Sequence, residues 1–439
     1  MEKVSLIGLG KLGLSLFATI GSTGRKVLGV DIDEHVVSSV NSGKAPLHEP
    51  GLDELLQEHI GQTLEATTEL RRAVVETDYT IILVQTPSEP DGRYGLKALY
   101  SVLGELCAEI RQLGKKGHLI SINCTIQPGS IDNAIIPYIE ENTGCTNGQD
   151  IFVSYNPEMV ALGTTIKNFQ NPDFVLIGAN DEITSQRVAK LQKSIIKNDA
   201  EFKVMSAVSA EIVKISLNSF LTVKISFANL LSQISMQNPN ADIDHITEAI
   251  GADARIGNKF LKAGNSFGGT CFPRDVYAFQ RLLSDNDIPD TMAVAVNEIN
   301  QAQSDLLIDL VMEHLDKTES GKVAILGQSF KPDTHVIAES SAISLIHALL
   351  ERSVDLTVFD QHAQGAVMDM FGEKLKYASS AAEAIAEQPI VVLYNPVPEY
   401  IEALAHVQAG TVIVDCWRVI DKEKLTDGAV YVPLGNKLV

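Results

Sequence analysis

The chain has 439 residues, of which 45% are apolar and 21% charged, and its net charge is −21. That length calls for two or three domains, and that composition argues against disorder. An acidic surface repels nucleic acid and anionic membranes, yet leaves room for a local basic pocket that takes a phosphorylated ligand.

The first stretch, LIGLGKLGLSLFATIG, has the apolar look of a signal peptide. Its glycines, Lys11 and direct passage into another strand-like segment make it read as folded structure. KVSLIGLG predicts a strand, residues 11–22 a helix and KVLGVDID a second strand. Further strands are predicted at YTIILVQTP (79–87), HLISINCT (118–125) and FVSYNPE (152–158). Strands alternating with amphipathic helices imply a parallel sheet covered on both faces.

Within this first unit, Gly8-Leu9-Gly10-Lys11-Leu12-Gly13 is a GxGxxG. Alone the pattern is weak. Here it follows a predicted strand, opens a predicted helix, and precedes by some twenty residues a strand ending at Asp31. Gly8 and Gly10 allow a tight turn and close approach of a pyrophosphate to the helix N-terminus. Gly13 allows helix and strand to pack closely, and Asp31 can accept both ribose hydroxyls. An acidic residue there selects NAD, because a 2′-phosphate would meet a like charge. Thr86 and Thr125 end later strands, where doubly wound sheets place their ligands. Each is a candidate contact, and each could equally be a threonine beginning a turn.

Residues 206–236 contain no glycine or proline, and apolar positions 212, 213, 217, 220, 221, 225, 227, 230 and 231 fit a helical period over more than one face. Such a helix is expected to cross between domains or pack against a second subunit, with burial inside one domain as the alternative. Lys214 and Asn218 lie four apart on it, hence on one face, with Glu211 a turn earlier. A lone lysine on an apolar helix is usually a snorkelling surface residue. Glu158, in NPEMV, is either a partly desolvated carboxylate or an ordinary surface one. From residue 321 the alternation restarts with GKVAILGQSF, VDLTVFD, PIVVLYNP and TVIVDCW. Its opening echoes the N-terminus, each copy pairing a KVxxxG strand with a strand ending in aspartate, Asp31 or Asp360.

The five cysteines, Cys107, Cys124, Cys145, Cys271 and Cys416, are scattered and include no CxxC pair. A disulfide framework or zinc site is therefore not expected, no metal is expected, and a reducing cytosol suits them. Cys271, in FGGTCFPRD, has a setting the others lack. Gly268 and Gly269 let backbone and ligand approach closely. Pro273 suits the first turn of a helix, which would put the thiol near a positive dipole end, with Arg274 adding charge. Both effects favour the thiolate, the nucleophilic form; a small core residue beside a turn is the plainer alternative. A nicotinamide site and a reactive thiol together suggest a two-step oxidation. An alcohol becomes an aldehyde, the thiolate captures it, a second hydride leaves, and water releases a carboxylate.

GLGKLG with Asp31, VQTP, CTIQPG, YNPE, AEIVKISLN, RIGNKFLKAG, FGGTCFPRD, GQSFKPDT and DCWRV occur in that order. With them the chain resembles the UDP-glucose/GDP-mannose dehydrogenases over essentially its full length. The resemblance implies two Rossmann-like doubly wound parallel-sheet units joined by a long central helix and a helical dimerisation region. The domains would be an NAD-binding one over 1–200, a central helical one over 201–300 and a nucleotide-sugar-binding one over 301–439, in a cytoplasmic homodimer. It implies NAD-dependent oxidation of a sugar CH2OH to carboxylate, with Cys271 as thioester nucleophile and Lys214 and Asp275 handling water, proton and oxyanion. Asn218 supports them, Glu158 serves the thioester steps and Thr125 is the active-site threonine. Phe260, Lys262, Gly268, Lys331 and Arg418 would hold the nucleotide sugar, and Arg255 would reach the neighbouring subunit's substrate. RIGNKFLKAG is most similar to the UDP-glucose branch; GDP-mannose, a UDP-N-acetylhexosamine or a weakly active regulatory homologue are the alternatives. The family's KxDTxDxRxS is broken here, since Val336 stands for the aspartate and Ala338 for a cofactor-side arginine. Leu162 replaces a second glutamate, and Tyr394-Asn395-Pro396 replaces a TEW-like stretch. Losing one charged hydrogen bond weakens binding by about 1.5–3 kcal/mol, so these departures bear on NAD affinity.

Overall fold

The computed structural model describes residues 2–47, 49–318 and 320–437. The chain divides into two compact units, one ending at Ser216 and the other beginning at Leu217. The boundary falls inside one continuous helix, Ala207–Gln237.

The first unit is an eight-stranded sheet. Its strands are β1 (Val4–Ile7), β2 (Val27–Val30), β3 (Leu64–Thr67), β4 (Tyr79–Ile82), β5 (His118–Ile122), β6 (Ile151–Tyr155), β7 (Phe174–Gly178) and β8 (Glu201–Met205). They lie in the order β3-β2-β1-β4-β5-β6-β7-β8. The order reverses at β1, which pairs with both β2 and β4, and this creates the crevice where such sheets bind ligands. β3 through β6 are parallel, whereas β7 meets β6 antiparallel and carries β8 alongside it. Successive strand residues feed opposite cores. Val4, Leu6, Tyr79 and Ile81 pack into one hydrophobic cluster, and Ile7, Ile82, Ile120 and Ile122 into the other.

The second unit repeats the plan with six parallel strands: β9 (Lys322–Leu326), β10 (Asp355–Phe359), β11 (Lys376–Tyr377), β12 (Ile390–Leu393), β13 (Val412–Asp415) and β14 (Val430–Pro433). Their order, β11-β10-β9-β12-β13-β14, again reverses at the first strand. The expected architecture is therefore present: two parallel-sheet α/β units and a long helix. That helix inverts the usual pattern over its second-unit part. Ser219, Thr222, Ser226, Asn229, Ser232 and Ser235 are buried, while Phe220, Phe227, Leu230 and Ile234 are exposed.

Candidate active site

In the first unit, β1 runs into the GxGxxG turn. Gly8 has φ +98°, and a Cβ there would stand 2.4 Å from the Leu83 carbonyl oxygen. A Cβ on Gly13 would stand 1.9 Å from the Gly8 oxygen, so the Lys11–Gly21 helix packs directly on the turn. A Cβ on Gly10 would meet nothing within 4 Å. That open space, at a helix start with no side-chain cap, fits a pyrophosphate held by main-chain N–H groups, including that of Leu12. Asp31 closes the arrangement. Its Oδ2 accepts from the Leu9 N–H at 2.7 Å and its Oδ1 from the Asp33 N–H at 3.0 Å. Each oxygen keeps a lone pair for a ribose hydroxyl. The neighbouring Ile32, 96% exposed, offers an apolar face that the sequence reading passed over. Thr86 is buried beyond β4, and Thr125 is half-buried beyond β5.

Beyond β6 stands Glu158, half-buried. Burial pushes its carboxyl up to about 7, against the opposing pull of the Asn123 amide and the Lys214 charge. Asn123 Nδ2 donates to Glu158 Oε1 at 2.6 Å, and the Ser121 hydroxyl donates to Asn123 Oδ1 at 2.8 Å. Asn123 is a partner that the sequence reading missed, an asparagine set at the end of an apolar strand. Lys214 Nζ donates to the Glu158 main-chain oxygen at 2.7 Å and lies 3.9 Å from Met159 Sδ. This lysine therefore points inward instead of snorkelling.

In the second unit, Cys271 occupies the N-cap of the Phe272–Asp285 helix, with Pro273 in the first turn. It is exposed; Cys107, Cys124 and Cys416 are buried and Cys145 is half-buried. Burial pushes the Cys107 and Cys124 thiols up to about 12 and 11. The loop leading to Cys271 is tightly held. A Cβ on Gly268 would stand 2.2 Å from the Glu339 oxygen, and one on Gly269 would stand 2.7 Å from the Phe330 ring. The Gly269 N–H donates to Ala338 O at 2.9 Å. Asp275 is fully buried and accepts from Asn218 Nδ2 at 2.6 Å and from Arg274 Nε at 3.0 Å. Arg274, expected to add charge near the thiol, is paired with Asp275.

The other candidates of this unit gather by packing. Phe260, at φ +62°, stacks edge-on against Phe272, which does the same with Phe267. Lys331 Nζ lies 5.8 Å from the centre of the Phe330 ring that covers Gly269. Lys262 is exposed, and Arg255, 87% exposed, pairs with Asp253 two residues earlier. Arg418 is enclosed. It donates to both Asp244 oxygens at 2.8 and 2.9 Å, to Leu434 O at 2.5 Å and to Ala263 O at 2.7 Å. With most of its donors used, Arg418 holds the 260–264 loop in place. Trp417 seats the same loop, because a Cβ on Gly264 would strike its ring at 2.6 Å.

Three family models match in sequence along the chain. They are the NAD binding domain (2–196), central domain (208–302) and UDP binding domain (324–422) of the UDP-glucose/GDP-mannose dehydrogenase family. The UDP-glucose 6-dehydrogenase AglM of Haloferax volcanii is 35% identical over 389 residues, covering 88% of this chain and 89% of its own. The chain belongs to this family. The GDP-mannose 6-dehydrogenase of Pseudomonas aeruginosa is 28% identical over 438 residues, covering 94% of this chain and 96% of its own. The solved UDP-glucose dehydrogenase of Pyrobaculum islandicum aligns with a TM-score of 0.90 at 29% identity, covering 99% and 98% of the two chains.

As a member of the family, the protein is a nucleotide-sugar dehydrogenase that uses NAD. Its departures from the family motif have structural homes. Val336 is buried, and its carbonyl accepts from Phe330 N–H at 3.0 Å. Ala338 supports Gly269 through its main chain. Asn395 donates to Ser329 O at 2.9 Å, locking the turn after β9. The loop carrying Leu162 is held by Glu49, which accepts from the Gly163 and Thr165 N–H groups at 2.9 and 2.8 Å. No helix among the described residues is long and apolar enough to cross a membrane, and no group of metal-ligating side chains is found among them. The Asp31 geometry predicts that Asp31→Ala weakens NADH binding roughly 10–100-fold in a fluorescence titration, the loss of two charge-assisted hydrogen bonds. An unchanged affinity would remove Asp31 from the cofactor site.

Proposed function

We propose that this protein oxidises UDP-glucose to UDP-glucuronate with NAD, by way of a thioester on Cys271. The observation that carries the reading is the exposed thiol at a helix N-terminus, at the end of a loop that only glycine can thread. NAD, when bound, takes up a hydride in each of two oxidations. Between them, Cys271 Sγ forms a bond to the aldehyde carbon and holds the half-oxidised sugar against escape. After the second hydride has left, water adds to the thioester carbon, the C–S bond breaks, and carboxylate and thiolate separate. Glu158, Lys214 and Asp275 take up and return the protons of these steps and steady the oxyanions, with Asn218 orienting Asp275 and Thr125 contacting the reactants. Lys331, Lys262, Phe260 and Gly268 serve the nucleotide sugar directly, Arg418 serves it by holding the 260–264 loop, and Arg255 reaches a partner's substrate. The division into 1–200, 201–300 and 301–439 and a cytoplasmic setting complete the reading.

A second copy of the chain is its proposed partner. Phe220, Phe227, Leu230 and Ile234 form an exposed apolar row on a helix whose inner face is small and polar. Phe220→Asp is expected to shift the protein from dimer to monomer in light scattering at micromolar concentration. A monomeric wild type would end this part of the proposal.

The UDP-glucose reading is supported by the Haloferax volcanii relative, while the Pseudomonas aeruginosa relative keeps GDP-mannose in view. Purified protein with NAD+ and a panel of UDP- and GDP-sugars decides between them. We expect two equivalents of NADH per UDP-glucose and an acid product. One equivalent with free aldehyde would exclude the thioester route, and preference for GDP-mannose or a UDP-N-acetylhexosamine would move the substrate. Silence with retained UDP-sugar binding would leave a regulatory homologue. Cys271→Ser is expected to stall at the aldehyde level, and wild-type steady-state turnover in that variant would exclude Cys271.

Glu158 supplies a pH dependence. Its folded pKa is about 7, raised by desolvation, so the proton-accepting carboxylate form prevails above that pH and is lost below it. Turnover should therefore fall as pH drops through 7. Glu158→Gln should remove that limb and lower kcat by about 10²–10⁴-fold. The same acid limb surviving in the variant would assign it to another group.

A further inference from the structure

Glu211 is fully buried, and the scheme above gives it no task. It lies in the second turn of the Ala207–Gln237 helix, three residues before Lys214. Its Oε2 accepts from the Gly129 N–H at 2.6 Å and its Oε1 from the Ile131 N–H at 2.9 Å. These donors open the helical segment Ile131–Ile135, which has no side-chain cap of its own. A carboxylate placed there satisfies main-chain donors that would otherwise be orphaned and meets the positive end of the dipole. Burial still pushes its carboxyl up to about 7, against the pull of both N–H groups.

The contact has a counterpart one turn along the same helix, where Lys214 donates to the main-chain oxygen of Glu158. The Gly129 turn follows β5 and Glu158 follows β6, and those strands are paired in register from His118↔Ile151 to Ile122↔Tyr155. Two side chains a turn apart thus tie one helix to the loops beyond two neighbouring strands. A buried carboxylate costs several kcal/mol to desolvate, so an apolar residue would pack there at less expense. What the carboxylate adds is register, since two directed bonds to two N–H groups fix both the rotation and the height of that helical turn.

We propose that Glu211 is a positioning residue that, by anchoring its helix turn to the Gly129 and Ile131 N–H groups, sets the height and rotation at which Lys214 meets Glu158 and thereby governs turnover without touching substrate. The proposal deepens the functional reading and rests on Lys214 handling a proton in the reaction.

The test is steady-state kinetics of the full chain with UDP-glucose and NAD+. Glu211→Gln keeps the shape but offers one acceptor to two N–H donors, and it turns an amide N–H toward one of them. Its kcat should fall roughly 10–100-fold, with both KM values within about threefold of wild type and the pH profile of kcat displaced. Glu211→Asp, which keeps two acceptors on a shorter arm, should recover part of the loss. If Glu211→Gln does not fold, Glu211→Asp alone decides: reduced kcat at constant KM supports the proposal, and wild-type kcat overturns it. A parallel rise of KM with an unmoved pH profile would mark a packing role and overturn it too. Lys214→Met separates the two levels. If that variant is inactive while Glu211→Gln turns over normally, the positioning role alone fails; if Lys214→Met turns over normally, the reading beneath it fails as well.

Discussion

The second unit depends on how closely two stretches of main chain approach at Gly268 and Gly269. There is no room for a Cβ at either position, because the Glu339 oxygen and the Phe330 ring already fill it. A side chain at either glycine would separate the loops and lift Cys271 from the start of its helix. Four loop residues of this unit carry backbone strain of their own. Phe260, Asp333, Glu339 and Arg418 all adopt φ between +52° and +62°, each at a cost of order 1–3 kcal/mol. Such conformations persist where surrounding contacts over-determine them. Arg418 is fixed by Asp244, Ala263 and Leu434, and Phe260 by Phe272. Asn240, Asp287, Ser353 and Glu387 adopt the same region in other turns of this unit, so such conformations are not confined to the loop that leads to Cys271.

The two sheets share a plan but end the equivalent second strand differently. Asp31 accepts one main-chain N–H on each oxygen and keeps capacity for a ligand. Asp360, buried, accepts from the N–H groups of Gln328, Ser329, His362 and Ala363 and from the Ser329 hydroxyl. Its acceptor sites are taken up by its own chain. Gly10 has open space beside it, whereas Ser329, which takes its place in the second unit, turns its main-chain N–H and hydroxyl to Asp360. One fold therefore provides an open dinucleotide crevice once and a closed structural turn once. The difference lies in donor counts that no sheet topology reveals.

Much of this was legible in the sequence, and the exceptions have physical causes. Strands buried on both faces read as continuous apolar runs, so β1, β4, β5, β9, β12 and β13 were plain. The edge strands β3 and β11, reading LEAT and KY, lack that signal, and β8, EFKVM, is largely exposed. The long helix was visible from its freedom from glycine and proline, but its polar inner face was not. Small hydroxyls satisfied by their own helix can be buried at little cost, as when Thr222 donates to Ser219 O. At the candidate site, spacing identified residues but not their partners. That Arg274 is occupied by Asp275, Arg418 by Asp244 and Arg255 by Asp253 follows from side-chain geometry that a linear pattern does not carry.

The departures from the family motif can be weighed on the same grounds. Val336 and Ala338 stand where the resemblance leads one to expect an aspartate and an arginine, yet the segment still holds the cysteine loop, because main-chain carbonyls do the holding. Ala338 O receives the Gly269 N–H, and Val336 O receives the Phe330 N–H that seats the ring over Gly269. Any residue presents a carbonyl, so these two hydrogen bonds do not depend on which side chains stand at 336 and 338. Replacing the glycine at 268 or 269 would instead displace the backbone that leads to Cys271. The two kinds of change are physically separable, and at 268 and 269 this chain has glycine.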